Sequence, residues 1–286
     1  MSVIHLSGRD GNRLAADVAG PEDGPPVVLL HGGGQTRHSW GTTLEVLAAK
    51  GWRAYSVDLR GHGDSDWAAN GDYTLDAFAG DVSAVASSLG RPPALVGASL
   101  GGLASLAAVG SASAAAVATA LVMVDVAPKI EEAGRDRIGQ FMMEHMRTGF
   151  ASLEEVADAI ARYNPHRPRP RDLSGLRKNL RERDGRWYWH WDPAFVGGNF
   201  GSPDETRTSI IDTNSLEAAA RRVTIPVLVV RGLVSDLLSE EGARELLALV
   251  PHGELVSVAG AGHMVAGDRN DLFNDAIVSF LSRVRD

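Results

Sequence analysis

Six short runs of almost unbroken apolar residues, at 27–30, 54–57, 94–96, 121–124, 227–230 and 255–258, constrain this chain more than any other feature. A strand with one face in water alternates apolar and polar side chains. A run that is apolar throughout suits a strand covered on both faces, as in a mostly parallel sheet with helices on each side. Helical periods separate the runs. Leu75, Phe78, Val82, Val85 and Leu89 share one face, with Thr74 placed to cap the first turn. Phe273, Ile277, Phe280 and Leu281 repeat that spacing near the C-terminus. Two earlier runs, 3–6 and 14–18, read as a hairpin before the alternation begins. The Ala/Ser stretch 111–120 reads as small residues packing a helix and turn against the sheet. The expected fold is α/β: a mostly parallel twisted sheet flanked by helices.

The alternation stops between about 130 and 215. No strand-like run occurs there, Ser152 and Glu155 form a helix capping box, and 193–203 is rich in Gly, Pro and Asn and reads as a loop. An aromatic-bearing insertion at this point reads as a helical cap over the strand ends, where open α/β sheets bind ligands. The expected division is a core of 1–129 and 216–286 with a cap of 130–215. Hydrophobic content of 44% with 22% charged residues is ordinary for a soluble globular chain of 286 residues. A net charge of −8 disfavours nucleic acid and anionic membrane as partners. The chain has no cysteine, so disulfides, thiol catalysis and thiolate metal sites are excluded. Residues 1–5 lack the basic-then-apolar pattern of a signal peptide, and no apolar run reaches the length of a membrane span, so a cytoplasmic location is expected. Oligomeric state leaves no mark in the pattern.

The third apolar run leads into Gly97-Ala98-Ser99-Leu100-Gly101, followed by a helix-compatible stretch. A serine on a sharp strand-to-helix turn has its hydroxyl lifted out of the sheet. The same turn aims the N–H of the following residue, Leu100, at charge developing on a substrate oxygen. The glycines fit a turn that strains the serine and brings strand and helix close together. A second oxyanion donor is expected from the glycine-rich stretch after the first run, His31-Gly32-Gly33-Gly34-Gln35, with Gly33 the first choice and Gly34 the second. It has neither a Gly-Lys-Ser/Thr ending nor a Gly-x-Gly-x-x-Gly spacing, which disfavours a phosphate cradle. Asp58 to Ser65 follows another run, and its glycines read as shaping a structural turn. His263 follows the last run in a flexible setting and is the candidate base; His190, between Trp189 and Trp191, reads as a packing residue. Two aspartates compete to orient the base. Asp236 follows the run nearest His263 and is favoured; Asp125, at the end of 121–124, is the alternative.

In order, the His31-Gly32 loop, the Asp58–Ser65 turn, the Ser99 elbow, Asp236 and Gly262-His263 resemble the α/β-hydrolase superfamily, specifically its capped bacterial serine esterase-like members, over residues 27–281. The segments 186–193 and 262–269 look like those of bacterial homologues labelled esterase, epoxide hydrolase or peroxidase. The nucleophile separates these chemistries. Opening an epoxide would leave a serine as a stable ether, whereas a carboxylate forms an ester that water cleaves. Serine at 99 fits an acyl-enzyme, hence hydrolysis of an ester, lactone or thioester without metal or cofactor. Hydrolysis of a carbon–carbon bond in a diketone, perhydrolysis or cofactor-free peroxidase-like chemistry, and a ligand-binding receptor that retains the triad remain alternatives. The expected partners are a small ester and water. Met142, Met146, Trp187, Trp189 and Met264 are the candidate pocket residues, suiting a largely apolar substrate, with core packing the alternative for the methionines. Cap tyrosines Tyr163 and Tyr188 read as packing residues. The arginines between 167 and 186 read as a solvated face or a carboxylate site.

Overall fold

A computed structural model describes residues 2–111, 114–164, 169, 172–200, 212–263 and 270–285. Eight strands form one sheet: β1 (Ser2–Ser7), β2 (Arg13–Ala19), β3 (Pro26–Leu30), β4 (Arg53–Val57), β5 (Ala94–Ala98), β6 (Ala120–Val124), β9 (Val227–Gly232) and β10 (Glu254–Val258). Two more form a separate hairpin, β7 (Leu180–Arg183) and β8 (Arg186–Trp189). The helices are α1 (Gly41–Ala49), α2 (Leu75–Ser88), α3 (Leu100–Ser111), α4 (Ala114–Val117), α5 (Glu132–Met143), α6 (Leu153–Tyr163), α7 (Pro193–Phe200), α8 (Thr213–Ala220), α9 (Glu240–Leu249) and α10 (Asn274–Val284).

The large sheet runs β1-β2-β4-β3-β5-β6-β9-β10. The first hairpin and the β2–β4 pair are antiparallel, and every later pairing is parallel. All six apolar runs are strands of this sheet. Every residue of β3, β5 and β6 is buried, because the sheet carries one apolar cluster on each face. Phe78 of α2 fills one side and Phe273, Ile277, Phe280 and Leu281 the other, each 2% exposed or less. Full burial of one such side chain contributes roughly 1.5–3 kcal/mol. Thr74 caps α2 by accepting the Ala77 N–H.

The insertion between β6 and β9 departs from expectation in several places. Strands β7 and β8 form a hairpin where no strand was expected, because Arg181-Glu182-Arg183 and Arg186-Trp187-Tyr188 lack an apolar run. Asp184 and Gly185 join them, both at positive φ (51° and 69°), as a two-residue hairpin turn requires. Residues 193–200 form α7 rather than a loop: Pro193 needs no N–H in the first turn, and Asp192 Oδ1 accepts the Ala194 N–H. The capping box at α6 is present in altered form. Ser152 Oγ accepts the Glu155 N–H, and Glu155 answers to the N–H of Ala151 rather than of Ser152. Helix α8, across the expected boundary at 215, packs on α3 of the core, where Ala219 meets Gly110. Among the described residues no helix is long and apolar enough to cross a membrane.

Candidate active site

Ser99 sits one residue beyond β5 with φ of 45°, a conformation a side-chain-bearing residue adopts only under constraint. The constraint comes from both flanks. A Cβ on Gly97 would lie 2.4 Å from the Gly101 carbonyl, and one on Gly101 would lie 2.5 Å from the Leu30 oxygen. Larger residues there would force strand and helix apart. The Ser99 N–H donates to the Val124 carbonyl (3.1 Å), which ties the elbow to the end of β6. Leu100 opens α3, so its N–H has no preceding helical turn to bond.

The residue after Val124 is Asp125, also at positive φ (54°) and 3% exposed. Its Oδ2 lies 2.9 Å from His263 Nδ1 and 2.7 Å from Ser235 Oγ, and its Oδ1 accepts the Gly232 N–H at 3.1 Å. The carboxylate therefore fixes Nδ1 as the protonated nitrogen of His263 and leaves Nε2 as the acceptor. Ser235 is itself held, accepting the N–H groups of Leu237 and Leu238. Nothing in the local sequence marks this serine, since it belongs to no motif and its partner lies 110 residues away.

The preference for Asp236 is corrected here. Its carboxylate is gripped by Arg137 of α5, with Nε 2.7 Å from Oδ2 and Nη2 2.9 Å from Oδ1, while His263 Nδ1 meets Asp125. Strands β6 and β9 are parallel neighbours, but the Asp125 carboxylate meets Gly232, Ser235 and His263, whereas Asp236, four residues past β9, meets Arg137 of the insertion.

The glycine loop after β3 separates the two oxyanion choices. The Gly32 N–H donates to Gln35 Oε1 (3.0 Å) and the Gly34 N–H to His62 Nε2 (3.2 Å). Gly34 is thereby corrected as a donor, since its N–H is engaged. The Gly33 N–H has no hydrogen-bond partner among the described residues, and the residue is half-buried. The base of the loop is pinned by Asp58, which accepts the N–H groups of Arg37 (2.6 Å) and Asp64 (2.9 Å) and pairs with the Arg37 guanidinium. Burial pushes the Asp58 carboxyl above its usual range, with Arg37 opposing that shift.

The insertion covers this loop. A Cβ on Gly33 would lie 3.7 Å from Phe195, and one on Gly34 would lie 3.3 Å from both Met142 and Trp191. Met142 is thus beside the glycine loop, together with Trp191 and Phe195, two residues outside the candidate pocket read from the sequence. Met146 and Trp189 instead line a cavity of about 360 Å³ with Trp67, Arg181, Tyr188 and Trp191. Trp189 stacks on Trp191 at 4.8 Å. Trp187 lies apart from that lining, beneath the Arg177 guanidinium and paired through its backbone with Phe150. Met264 falls outside the described residues. Tyr163 lies under Arg137 and Tyr188 under Arg183. Among the described residues no cluster of three or more His, Asp or Glu side chains is arranged to hold a metal ion.

Comparison with known proteins places these features in context. The model of a family described as "Alpha/beta hydrolase family" matches residues 27–276. Esterase Rv0045c of Mycobacterium tuberculosis is 31% identical over 257 residues, covering 86% of this chain and 78% of the esterase. The 3-hydroxybutyrate-oligomer hydrolase of Cupriavidus necator is 27% identical over 261 residues, covering 88% and 87%. Among solved structures, an alpha/beta hydrolase from Novosphingobium aromaticivorans superposes with a TM-score of 0.78 at 26% identity, covering 99% of this chain and 98% of that one.

Proposed function

The chain belongs to the alpha/beta hydrolase family and is a hydrolytic enzyme, and we propose that it cleaves a carboxylic ester of a small, largely apolar substrate through an acyl-enzyme on Ser99. The observation that carries the reading is the 2.9 Å contact of His263 Nδ1 with Asp125, at the same sheet edge as the strained Ser99 turn. His263 Nε2 takes the hydroxyl proton as Ser99 Oγ bonds to the ester carbon. The carbonyl oxygen becomes an anion held by the N–H groups of Leu100 and Gly33. As the carbon–oxygen bond to the alcohol breaks, His263 returns the proton to the leaving oxygen. Water then repeats the sequence on the acyl-enzyme and frees the acid and Ser99. Asp125 keeps the imidazole in its working tautomer and stabilises it while charged. The insertion of 130–215 acts as the cap, with Met142, Trp191 and Phe195 as the wall nearest the oxyanion loop.

The relatives named as an esterase and as a 3-hydroxybutyrate-oligomer hydrolase support the same chemistry. A panel of p-nitrophenyl esters of graded acyl length, run beside styrene oxide and a 1,3-diketone, tests it. Ester turnover lost in Ser99→Ala upholds the proposal. Turnover of the diketone or the epoxide in preference to every ester would replace it.

A further inference from the structure

Three histidines outside the acid–base pair surround the glycine loop, and all three are shut off from water: His31 and His62 at 0% exposure and His190 at 2%. They form a column, with ring centroids 5.2 Å apart between His31 and His62 and 5.7 Å apart between His62 and His190. One nitrogen of each ring meets the backbone of the same short segment. His31 Nδ1 lies 2.8 Å from the Gly32 oxygen, so it grips the peptide that carries the Gly33 N–H. His62 Nε2 accepts the Gly34 N–H, so it grips the next peptide. His190 Nε2 lies 3.3 Å from the Gly34 oxygen and holds the third. Three consecutive peptide planes thus have one histidine each.

The second nitrogen of each ring fixes its proton. His31 Nε2 accepts the Leu59 N–H, so the ring proton is on Nδ1. His62 Nδ1 lies 2.9 Å from the Arg60 oxygen, which places its proton there too. His190 Nδ1 accepts the Gly63 N–H at 2.8 Å, so its proton is on Nε2, the opposite tautomer. A second proton on any ring would set an N–H against an N–H, so all three are neutral. His190 comes from the insertion, and the segment around it is fastened to the core: Asp192 accepts the Tyr73 hydroxyl (2.6 Å), and its N–H donates to Gly61 (2.9 Å).

We propose that His31, His62 and His190 hold the Gly32–Gln35 backbone so that the Gly33 N–H is aimed at the developing oxyanion, and that His190 is a positioning residue through which the seated insertion completes the site. A planar peptide leaves little freedom to an N–H whose carbonyl partner and following peptide are both anchored. Gly34, at φ of 78°, is the swivel that would otherwise let the loop turn. The proposal rests on the serine-hydrolase reading, which the experiment tests separately.

The probe is a trifluoromethyl ketone. Ser99 Oγ adds to its carbonyl carbon, the hydroxyl proton passes to His263, and the resulting alkoxide needs the oxyanion donors. Tight binding by the wild type that Ser99→Ala abolishes upholds the serine-hydrolase reading, and no binding by the wild type overturns that reading. Two substitutions then divide the roles of His190. His190→Asn keeps an acceptor near the Nδ1 position for Gly63 but loses the donor to Gly34. His190→Gln carries an amide near the Nε2 position. His190→Asn is expected to lower kcat by about tenfold or more, leave KM within about threefold, and weaken the ketone in step with kcat/KM. His190→Gln is expected to recover most of that loss. Ketone affinity and kcat/KM of His190→Asn within twofold of wild type would overturn the proposal, as would a fall in kcat with undiminished ketone affinity. A wild-type measurement decides the matter if the variants fail to fold. Nitrogen-15 spectra of labelled histidines at neutral pH should show His31 and His62 protonated on Nδ1 and His190 on Nε2; a charged ring or the reverse tautomer at His190 overturns it.

Discussion

The Arg137 guanidinium holds Asp236 at two points, 2.7 and 2.9 Å away, and this turns a loop carboxylate into a fastening between α5 and the core. The residue before it, Ser235, reaches the other way and donates to Asp125 at 2.7 Å. One turn of chain therefore touches the insertion with one side chain and the Asp125–His263 pair with the other. The Glu131 N–H adds a backbone bond to Leu237 at 3.0 Å. The different surroundings of the two carboxylates set the first prediction.

Asp125→Asn should lower kcat on p-nitrophenyl esters by on the order of a thousandfold or more, because an amide no longer fixes the His263 tautomer or balances its charge. Asp236→Asn should stay within a few-fold, since its ion pair is about 40% exposed on both sides, and such pairs contribute only about 0–1 kcal/mol. Steady-state kinetics on both purified variants checks this, and the opposite order of effects would restore Asp236 as the acid.

Ser235→Ala removes one of the three hydrogen bonds that the described residues make to the Asp125 carboxylate. A lost bond to a charged group is worth roughly 1.5–3 kcal/mol, so kcat should fall by about tenfold or more while KM changes little. Restoration by Ser235→Thr, which keeps the hydroxyl, separates this from a general loosening of the loop.

A fluorophosphonate should label Ser99 and no other serine, and Ser99→Ala should abolish both labelling and ester turnover at an unchanged Tm. Peptide mapping by mass spectrometry reads the label. Modification elsewhere, with Ser99 free, would move the nucleophile.

Burial lowers the His31 imidazole to about 4 and the His62 imidazole to about 3, against 6.5 for an exposed ring. In that interval the unfolded chain binds protons that the native protein refuses, so stability rises with pH there. The contribution is complete above about pH 6.5 and is lost as the pH falls toward 4. Tm should therefore drop between pH 6.5 and 4, mostly above the range where ordinary carboxylates titrate. Differential scanning calorimetry across that range checks it. A Tm flat from pH 7 to 4.5 would mean that these rings are not held neutral.

Met142→Ala and Trp191→Ala should change kcat/KM unevenly along an acyl-length series, because both side chains lie against Gly34 of the glycine loop. One methylene in an apolar pocket is worth about 1–3 kcal/mol, enough for tenfold differences between adjacent chain lengths. Trp187→Ala, away from that loop, should alter all esters alike or only lower Tm.

The elements that could be read directly are those whose side chains encode their own surroundings. Runs that are apolar at every position identified the buried strands β3, β5 and β6, and the spacing of Leu75, Phe78, Val82 and Val85 marked α2. Gly97 and Gly101 marked the Ser99 turn because no other residue fits between that strand and that helix. The hairpin β7–β8 is not legible as apolar runs because its strands are mostly polar and aromatic, although Asp184-Gly185 carries a turn signal.

By itself, then, the sequence determined the sheet, the elbow and the candidate base, since each depends on local residue type and order. Only the tertiary structure decided which aspartate meets His263, which glycine N–H is left unengaged among the described residues, and where the insertion meets the glycine loop. Asp125 and Asp236 follow neighbouring strands to the same edge, so chain order cannot rank them; the backbone turn at Asp125 and the Arg137 side chain, 99 residues from Asp236 in sequence, do so. The same holds for the glycine loop, where His62 and His190 reach Gly34 across 28 and 156 residues. Such contacts follow from packing between distant segments, and nothing in the local sequence around either partner states them.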